Sequence, residues 1–367
     1  MNICIVVGAR PNFMKVAPII RAVANARERG EDINKKLVYT GTEHDTSIEP
    51  SLFEDLQISR PDVYLGVECA SLNELTGRVM GEFEKYLAEN PTDVVIVVDD
   101  LASTMATAIV TKKQGITLAH LVAGTRSFDI NMPKEINRLV IDGLSDLLFT
   151  AGDGSFSVVC REGASLNKIY LVGNILMDTL RFNHFRLKQP AIFDSLHLKK
   201  GGYIVFTLNR KALIDNKENM KKMLTSLSEA SNGIPIIAPL RKEAKEVVDE
   251  WMQQHAPANH IFIVHPLSYL EFGYLTCHAK GIVTDSGNVA EEATFNGIPC
   301  ITLNSYTEHI ETVRLGSNVL VGEDAEKLRL AVKEMISGEW KKCSLPDRWD
   351  GRTAERIIQI LLSMQNQ

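Results

Sequence analysis

The chain has 367 residues, 45% of them hydrophobic and 23% charged, and its formal net charge is −6. This composition is typical of a globular protein and excludes a largely disordered, collagen-like or coiled-coil chain. Because domains usually contain about 100–200 residues, the length predicts two of them. The acidic balance and the lack of a basic stripe argue against nucleic acid as a partner.

Cysteine usage and hydropathy predict a cytoplasmic chain that is not inserted in a membrane. None of the six cysteines forms a C-x-x-C pair, and Cys4 and Cys300 lie inside apolar runs, which is typical of buried thiols in a reducing compartment. The N-terminal apolar stretch stops at Gly8 and has no basic flank, so we expect no signal peptide. No apolar run approaches the roughly 18 residues of a transmembrane helix.

Short apolar runs alternate with longer amphipathic stretches along the chain. The runs predict strands at residues 3–7, 37–40, 94–98, 117–121, 147–150, 169–172, 203–207, 234–238, 261–264, 281–284, 300–303 and 318–321. The amphipathic stretches predict helices at residues 13–26, 72–87, 103–113, 217–229, 242–254, 289–296, 325–336 and 352–364.

This alternation predicts an α/β fold made of parallel sheets with right-handed crossovers. Twelve strands are too many for one ordinary open sheet, so we expect two doubly wound Rossmann-type domains with a cleft between them. A helix and a polar stretch with Pro and Gly mark the boundary region. We therefore place the N-terminal domain at residues 1–175 and the C-terminal domain at 176–351. We expect the last helix, about 352–367, to pack back on the first domain.

In doubly wound sheets, ligands bind beyond the carboxyl ends of the strands. The first such end carries Gly8, where the chain turns, followed by Arg10 and Lys15 around the predicted helix start near Asn12. Free N–H groups at a helix start and two cations predict an anion site. The alternative is a plain turn with two surface bases. The turn matches neither G-x-G-x-x-G nor a Walker loop, so it gives no support to NAD binding or ATP hydrolysis.

Acidic residues follow two further predicted strands, those at residues 94–98 and 117–121. Asp99 and Asp100 close a buried strand, where neighbouring carboxylates can raise each other's pKa and serve as acid or base. One of them could instead cap the following helix. Glu135 and Arg138 lie three residues apart on a predicted helix and could simply pair with each other. His120, inside an apolar strand, fits a satisfied core residue better than a catalyst.

The predicted strand at residues 281–284 is followed by Ser286 and Gly287 and, further on, by Glu291 and Glu292. Ser-Gly at a helix start predicts a second anion site. A carboxylate nearby can accept two hydrogen bonds from a ribose diol, although one of the two glutamates could instead complement the helix dipole.

Together these segments resemble the non-hydrolysing UDP-N-acetylglucosamine 2-epimerase family. The resemblance runs from about residue 2 to about residue 322, and it is carried by GARPNFMKVAP, LFEDLQI, VVIVVDDLASTMA, AHLVAGTRSFDINMPKEINR, VGNILMDTL, TLNRKALIDN, PLSYLEF, TDSGNVAEEATFNGIPC and TEHIETVRLGSNVLVG.

The resemblance implies a GT-B-like fold with UDP in the cleft between two Rossmann-type domains, and a homodimer. It implies an isomerase that converts UDP-N-acetylglucosamine to UDP-N-acetylmannosamine by eliminating UDP and adding it back, with no metal and no cofactor, in the synthesis of polysaccharides. By position, it assigns proton transfer and its support to Asp100, Glu135 and Arg138. It assigns substrate and UDP binding to Arg10, Lys15, Arg210, Phe272, Ser286, Gly287, Glu291 and Glu292.

The chain departs from the family pattern at three expected acid/base positions. The family's His-Val-Glu-Ala-Gly has Val122, its Pro-Glu-Glu has Lys134 and its Thr-Leu-His-Arg has Asn209. Valine cannot transfer a proton, and an asparagine is not a base at neutral pH. Three functions therefore stay open: an epimerase with an impaired or rearranged set of groups, a catalytically silent protein that binds UDP-sugars, and hydrolysis or glycosyl transfer on the same scaffold.

Overall fold

The computed structural model describes residues 1–254 and 260–365 of the chain. It divides into two compact units, Met1–Phe182 with Asp347–Gln367 and Asn183–Pro346. Each unit has its own parallel sheet and its own helices. Among the described residues, no helix is both long and apolar enough to cross a membrane.

The first unit contains a seven-stranded parallel sheet. Its strands are β1 (Asn2–Val7), β2 (Asn34–Tyr39), β3 (Val63–Tyr64), β4 (Val94–Val98), β5 (Thr117–Ala123), β6 (Leu147–Thr150) and β7 (Ile169–Leu171). Its helices are α1 (Arg10–Glu28), α2 (Pro50–Leu56), α3 (Leu72–Glu89), α4 (Ala102–Lys113), α5 (Pro133–Leu144), α6 (Asp153–Arg161), α7 (Ile175–Asn183) and, near the C-terminus, α16 (Thr353–Gln365), which packs against α1.

The strand order in this sheet, β3-β2-β1-β4-β5-β6-β7, creates a switch point between β1 and β4. The chain proceeds outward from β1 to β3 and then returns to the other side of β1, where Val6 lies beside Val97. Loops that leave the two strands therefore diverge and make a crevice at their carboxyl ends. β4 is buried at every residue, which fits its uninterrupted Val/Ile sequence, because such runs suit strands covered on both faces.

The second unit repeats this architecture with six parallel strands in the order β10-β9-β8-β11-β12-β13. They are β8 (Ile204–Phe206), β9 (Ile236–Pro239), β10 (Ile261–Val264), β11 (Gly281–Thr284), β12 (Cys300–Thr302) and β13 (Asn318–Leu320). Its helices are α8 (Ala191–Ser195), α9 (Lys211–Asp215), α10 (Lys217–Ala230), α11 (Lys242–Gln254), α12 (Tyr269–Cys277), α13 (Gly287–Asn296), α14 (Glu311–Arg314) and α15 (Ala325–Ser337). Its switch point lies between β8 and β11.

The structure confirms the α/β class, the two parallel sheets and every predicted strand and helix, to within a few residues. It adds one strand, β3, whose two residues are too few to show a periodic pattern. The helix α1, predicted to start near Asn12, begins two residues earlier at Arg10 and has Pro11 in its first turn, where proline needs no N–H partner.

Candidate functional site

The turn between β1 and α1 is held by the side chain of Asn12. Its Oδ1 accepts hydrogen bonds from the backbone N–H groups of Gly8 and Ala9, at 3.0 and 3.1 Å. A Cβ on residue 8 would lie 2.3 Å from the Ser103 hydroxyl, so only glycine fits this close approach. The turn is thus closed and well defined, as an anion-binding helix start requires.

Lys15 and Arg10 both belong to the first two turns of α1, but their environments differ. Lys15 is 6% exposed, and its Nζ lies 2.6 Å from Oδ1 of Asp99, whose Oδ2 accepts from Asn12 at 2.9 Å. Arg10 approaches Glu49 at 3.7 Å, and its Nε is buried without a hydrogen-bond partner among the described residues. The two cations are therefore set at the β1–β4 switch point, one tightly paired and one loosely.

Asp100 joins Glu135 and Arg138 in one buried ion-pair cluster. Arg138, 1% exposed, reaches Oδ2 of Asp100 with Nη2 at 2.6 Å and Oε2 of Glu135 with Nη1 at 3.1 Å. Lys134 lies at the edge of the cluster, with its side chain 56% exposed and its Nζ 3.2 Å from Oδ1 of Asp100. The predicted pairing of Glu135 with Arg138 is confirmed, and it extends to Asp100.

These charges determine the protonation of the two carboxyl groups. Burial alone would raise the pKa of Asp100, but Lys134 and Arg138 outweigh it and hold that pKa below its ordinary value. Burial opposes ionisation of Glu135 as well, and hydrogen bonds from Ser127, Phe128 and Arg138 lower its pKa in turn. Both groups are carboxylates at neutral pH. Neither Asp99 nor Asp100 caps α4, whose N-cap is Leu101, so the capping alternative was wrong.

His120 sits behind Asp99 in a second buried network. Its Nδ1 lies 2.6 Å from Oδ1 of Asp142, and its Nε2 lies 2.9 Å from the backbone carbonyl of Asp99. Oδ2 of Asp142 accepts from Gly124 N–H and from Arg126, and Arg126 forms two further bonds with Glu162. The interpretation of His120 as a satisfied core residue is confirmed.

Three residues with side chains adopt the left-handed region at the carboxyl ends of β4 and β5. They are Asp99 (φ 58), Val122 (φ 70) and Phe128 (φ 61). This region suits Asp, but a β-branched residue there is strained. Val122 coincides with a register shift between β5 and β6. The sequence offered no sign of these conformations, because they depend on contacts with other strands.

In the second unit, Asp285 organises the carboxyl ends of β8 and β11. Its Oδ2 accepts from the backbone N–H groups of Asn209 and Arg210, at 2.7 and 2.5 Å. The Arg210 side chain donates to Asn304 at 2.6 Å, and the Asn304 amide donates to the Asp285 carbonyl at 3.1 Å. Arg210 is also 5.8 Å above the ring of Tyr306. Asp285 was not among the predicted site residues, although it directly precedes the Ser-Gly turn.

The remaining predicted residues of this unit lie on α13 and α12. Ser286 is the N-cap of α13, and Gly287 begins the helix without steric crowding, since a Cβ there would meet its nearest atom only at 4.0 Å. Glu291 and Glu292 are buried in the second turn, and Glu291 lies 3.6 Å from His309. A helix dipole acts on its first turn, so its complement does not explain these two carboxylates. Phe272 lies on α12 and packs against an apolar cluster.

The structure thus brings the predicted residues together in two sets, one at the switch point of each unit. Asp100, Glu135 and Arg138 share one cluster, and Arg10 and Lys15 share one helix start. Arg210, Ser286 and Gly287 lie around the strand ends of the second unit. Within residues 1–254 and 260–365, no group of three or more His, Cys, Asp or Glu side chains is placed to hold a metal ion.

The family model described as UDP-N-acetylglucosamine 2-epimerase matches residues 25–362. A relative in Methanocaldococcus jannaschii, named UDP-N-acetylglucosamine 2-epimerase, is 35% identical over 98% of this chain and 99% of its own. The solved structure of an M. jannaschii UDP-GlcNAc 2-epimerase in complex with UDP-GlcNAc and UDP is 34% identical, covers 99% and 100% of the chains and superposes with a TM-score of 0.84. A UDP-2,3-diacetamido-2,3-dideoxy-D-glucuronate 2-epimerase of Pseudomonas aeruginosa is 32% identical over 88% of each chain.

Proposed function

We infer, because the chain belongs to the UDP-N-acetylglucosamine 2-epimerase family, that it is an isomerase which interconverts UDP-N-acetylglucosamine and UDP-N-acetylmannosamine. A base removes the C2 proton while UDP leaves from C1, which gives an enzyme-bound 2-acetamidoglucal. UDP then returns to C1 and a proton is added to C2 from the opposite face. The observation that supports this most is the cluster of Asp100, Glu135 and Arg138 at the switch point of the first sheet.

The second unit supplies the groups that suit a nucleoside diphosphate. The N–H groups at the start of α13 and the guanidinium of Arg210 can bind the diphosphate. The buried carboxylates of Glu291 and Glu292 can accept hydrogen bonds from the ribose hydroxyls, and Phe272 offers a ring for the uracil. We propose these roles from the family resemblance, and the local geometry described above is compatible with each.

The first unit supplies cations for the departing phosphate and a base for C2. Arg10 and Lys15, at the start of α1, carry the positive charge that stabilises phosphate as its bond to C1 breaks. Asp100 is the candidate base, because it is ionised and its neighbour Lys134 is partly exposed. The same cations that ionise Asp100 also weaken it as a base, since a lowered pKa reduces the drive to take up a proton.

Turnover is expected to be slow for a second reason. The reaction needs a proton-transfer group on each face of the sugar, and Val122 and Asn209 cannot serve. Losing one such group typically costs about 10²–10⁴ in rate. We therefore propose an epimerase whose turnover falls by at least that factor below that of family members with the full set.

The positive charge of Lys134 favours a second candidate substrate, an acidic UDP-sugar. This half-exposed ammonium stands beside Asp100 where the family pattern has a carboxylate, so it adds positive charge to the sugar side. A sugar with a carboxylate at C6 would complement it. The P. aeruginosa relative carries the name of a glucuronate epimerase, which supports an acidic UDP-sugar as the alternative substrate.

We also propose a cytoplasmic homodimer that contributes to polysaccharide synthesis, as the family resemblance implies. Sedimentation equilibrium across a concentration series tests the dimer directly. A mass equal to one chain at all concentrations would reject it.

Proton NMR of the protein with UDP-N-acetylglucosamine in D₂O tests the reaction. Deuterium at C2 together with an anomeric signal for the manno epimer is the expected result. Broadened uridine signals without exchange or product would instead indicate a protein that binds UDP-sugars and does not convert them. The same experiment with UDP-N-acetylglucosaminuronate, run on the wild type and on Lys134→Gln, tests the alternative substrate. That alternative requires the variant to lose its preference for the acidic sugar.

A further inference from the structure

A continuous series of hydrogen bonds links the core of the first unit to the turn that carries Lys15. It runs from Asp142 to His120 at 2.6 Å, from His120 to the Asp99 carbonyl at 2.9 Å, and from the Asp99 carboxylate to Lys15 at 2.6 Å. The other Asp99 oxygen bonds Asn12 at 2.9 Å, and Asn12 closes the β1–α1 turn. Side chains of α5, β5 and α1 are thus connected through Asp99, which directly follows β4.

Both ring nitrogens of His120 face hydrogen-bond acceptors. The Asp142 carboxylate and the Asp99 carbonyl can only accept hydrogen bonds. Asp142 is ionised, since His120 and Arg126 together outweigh its burial and lower its pKa. The ring is 1% exposed and lies between two hydrogen-bond acceptors, with Nε2 facing the Asp99 carbonyl.

Asp99 is the residue of this series whose backbone conformation needs support from its neighbours. It lies in the left-handed region at φ 58, which an aspartate tolerates better than most residues but which is not its preferred conformation. The carbonyl of such a residue points away from the direction that an extended strand would give it. The His120 Nε2–H bond therefore holds the Asp99 peptide, and the Asp99 carboxylate in turn sets the position of the Lys15 ammonium.

We propose that His120 is a positioning residue for diphosphate binding: its Nε2–H bond to the Asp99 carbonyl sets Asp99 and, through it, Lys15. The proposal rests on the proposed function, in which Lys15 faces the phosphate. It concerns affinity for UDP rather than proton transfer, because His120 has no access to the substrate.

Two matched variants separate the two bonds of His120. In His120→Gln, the amide nitrogen falls near the place of Nε2 and can still donate to the Asp99 carbonyl. In His120→Asn, the amide falls near the place of Nδ1, so the Asp142 bond is kept and the Asp99 bond is lost. Each variant removes the imidazole ring and one buried hydrogen bond, so a purely structural role would lower stability and UDP affinity similarly in both.

Isothermal calorimetry with UDP is the measurement. We expect Kd to rise about 10-fold in His120→Asn and less than about 3-fold in His120→Gln, since the hydrogen bond to the Asp99 carbonyl is lost only in the first. Lys15→Met should also raise Kd by about 10-fold, and combining it with His120→Asn should add nothing further. Trp349→Phe is the control, because it removes a buried bond to the Ala151 carbonyl in the same unit at 3.1 Å and should leave Kd unchanged.

Equal effects of the Asn and Gln variants, or fully additive effects of His120→Asn and Lys15→Met, would overturn the proposal. An unchanged Kd in Lys15→Met alone would instead reject the phosphate role of Lys15 and with it the proposed UDP site. If His120→Asn does not fold, ¹⁵N NMR of the wild-type ring at pH 7 decides the matter. A hydrogen on Nε2 is expected, and an unprotonated Nε2 could not hold the Asp99 carbonyl.

Discussion

Replacing Arg138 by leucine would leave two buried carboxylates without their main counter-charge. The guanidinium lies 2.6 Å from Asp100 and 3.1 Å from Glu135, whose side chains are 10% and 3% exposed. Removing one partner of a buried pair typically costs about 3–5 kcal/mol, because the remaining charge stays desolvated. Two carboxylates lose this counter-charge here, although Lys134 still faces Asp100 and hydrogen bonds from Ser127 and Phe128 still reach Glu135. We therefore expect Arg138→Leu to lower the unfolding free energy of the first unit by about 4 kcal/mol at pH 7.

The loss of stability in Arg138→Leu should depend on pH, because it depends on the charges of Asp100 and Glu135. The folded pKa values of Asp100 and Glu135 lie below their ordinary values of 3.8 and 4.5. Their stabilising contribution is therefore present above those values and is lost as the pH falls through the lowered ones. In Arg138→Leu the two groups can be protonated on acidification, so the penalty should shrink between about pH 5 and pH 3.

Hydrogen exchange of amides in β4 and β5 measures this free energy within the first unit. Arg78→Leu is the control, since Arg78 pairs with Glu74 at 3.6 Å with both side chains more than half exposed. Such a solvent-exposed pair contributes little to stability. The double variant Arg138→Leu with Asp100→Leu should be more stable than Arg138→Leu alone, because one orphaned charge is gone. A loss below about 1 kcal/mol, or one independent of pH, would refute the reasoning.

Three further outcomes are expected. Gly173→Ala should lower the free energy of unfolding, measured by thermal unfolding, by about 3 kcal/mol or more, because φ is +101 and a Cβ would lie 2.1 Å from a backbone carbonyl oxygen. Gly115→Ala is its control and should cost about 1 kcal/mol, because φ is +72 and the space around it is open. Burial raises the pKa of Asp178 to about 6, so the contribution of its protonated form to stability is present below pH 3.8 and is lost as the pH rises through 6. Asp178→Asn should therefore reduce the change of unfolding free energy with pH, measured by urea titrations at several pH values. Lys134→Glu should raise the pKa of Asp100 and move the acidic limb of the pH–rate profile to higher pH.

The sheets could be predicted because their strands are continuous apolar runs. The bounds of β4, β6, β10 and β11 are as predicted, and the runs of β4, β10 and β11 are bordered by polar residues at both ends. β3 and α2 are among the short elements that escaped prediction, and they did so for the opposite reason. Two residues cannot show alternation, and a seven-residue helix spans scarcely two turns, too few to display a period.

The sequence predicted which residues belong to the candidate site, but only partly which of them contact one another. Adjacent acids suggested one shared function, yet Asp99 pairs with α1 and Asp100 with α5. The split follows from the left-handed backbone at Asp99, which sends the two side chains in different directions. That conformation depends on the bond from His120 and on the N–H bond of Asp99 to the Leu121 carbonyl, and both arise only when β5 is in place.

The two networks of the first unit separate binding from proton transfer. The series that positions Lys15 passes through Asp99 and His120, and it includes neither Val122 nor Lys134. The cluster around Asp100 includes Lys134 and lies at the other side of the same strand end. Substitution at the acid/base positions can therefore change turnover while the cation at the helix start keeps its place. A chain that binds UDP firmly and converts the sugar slowly is the expected consequence of this division.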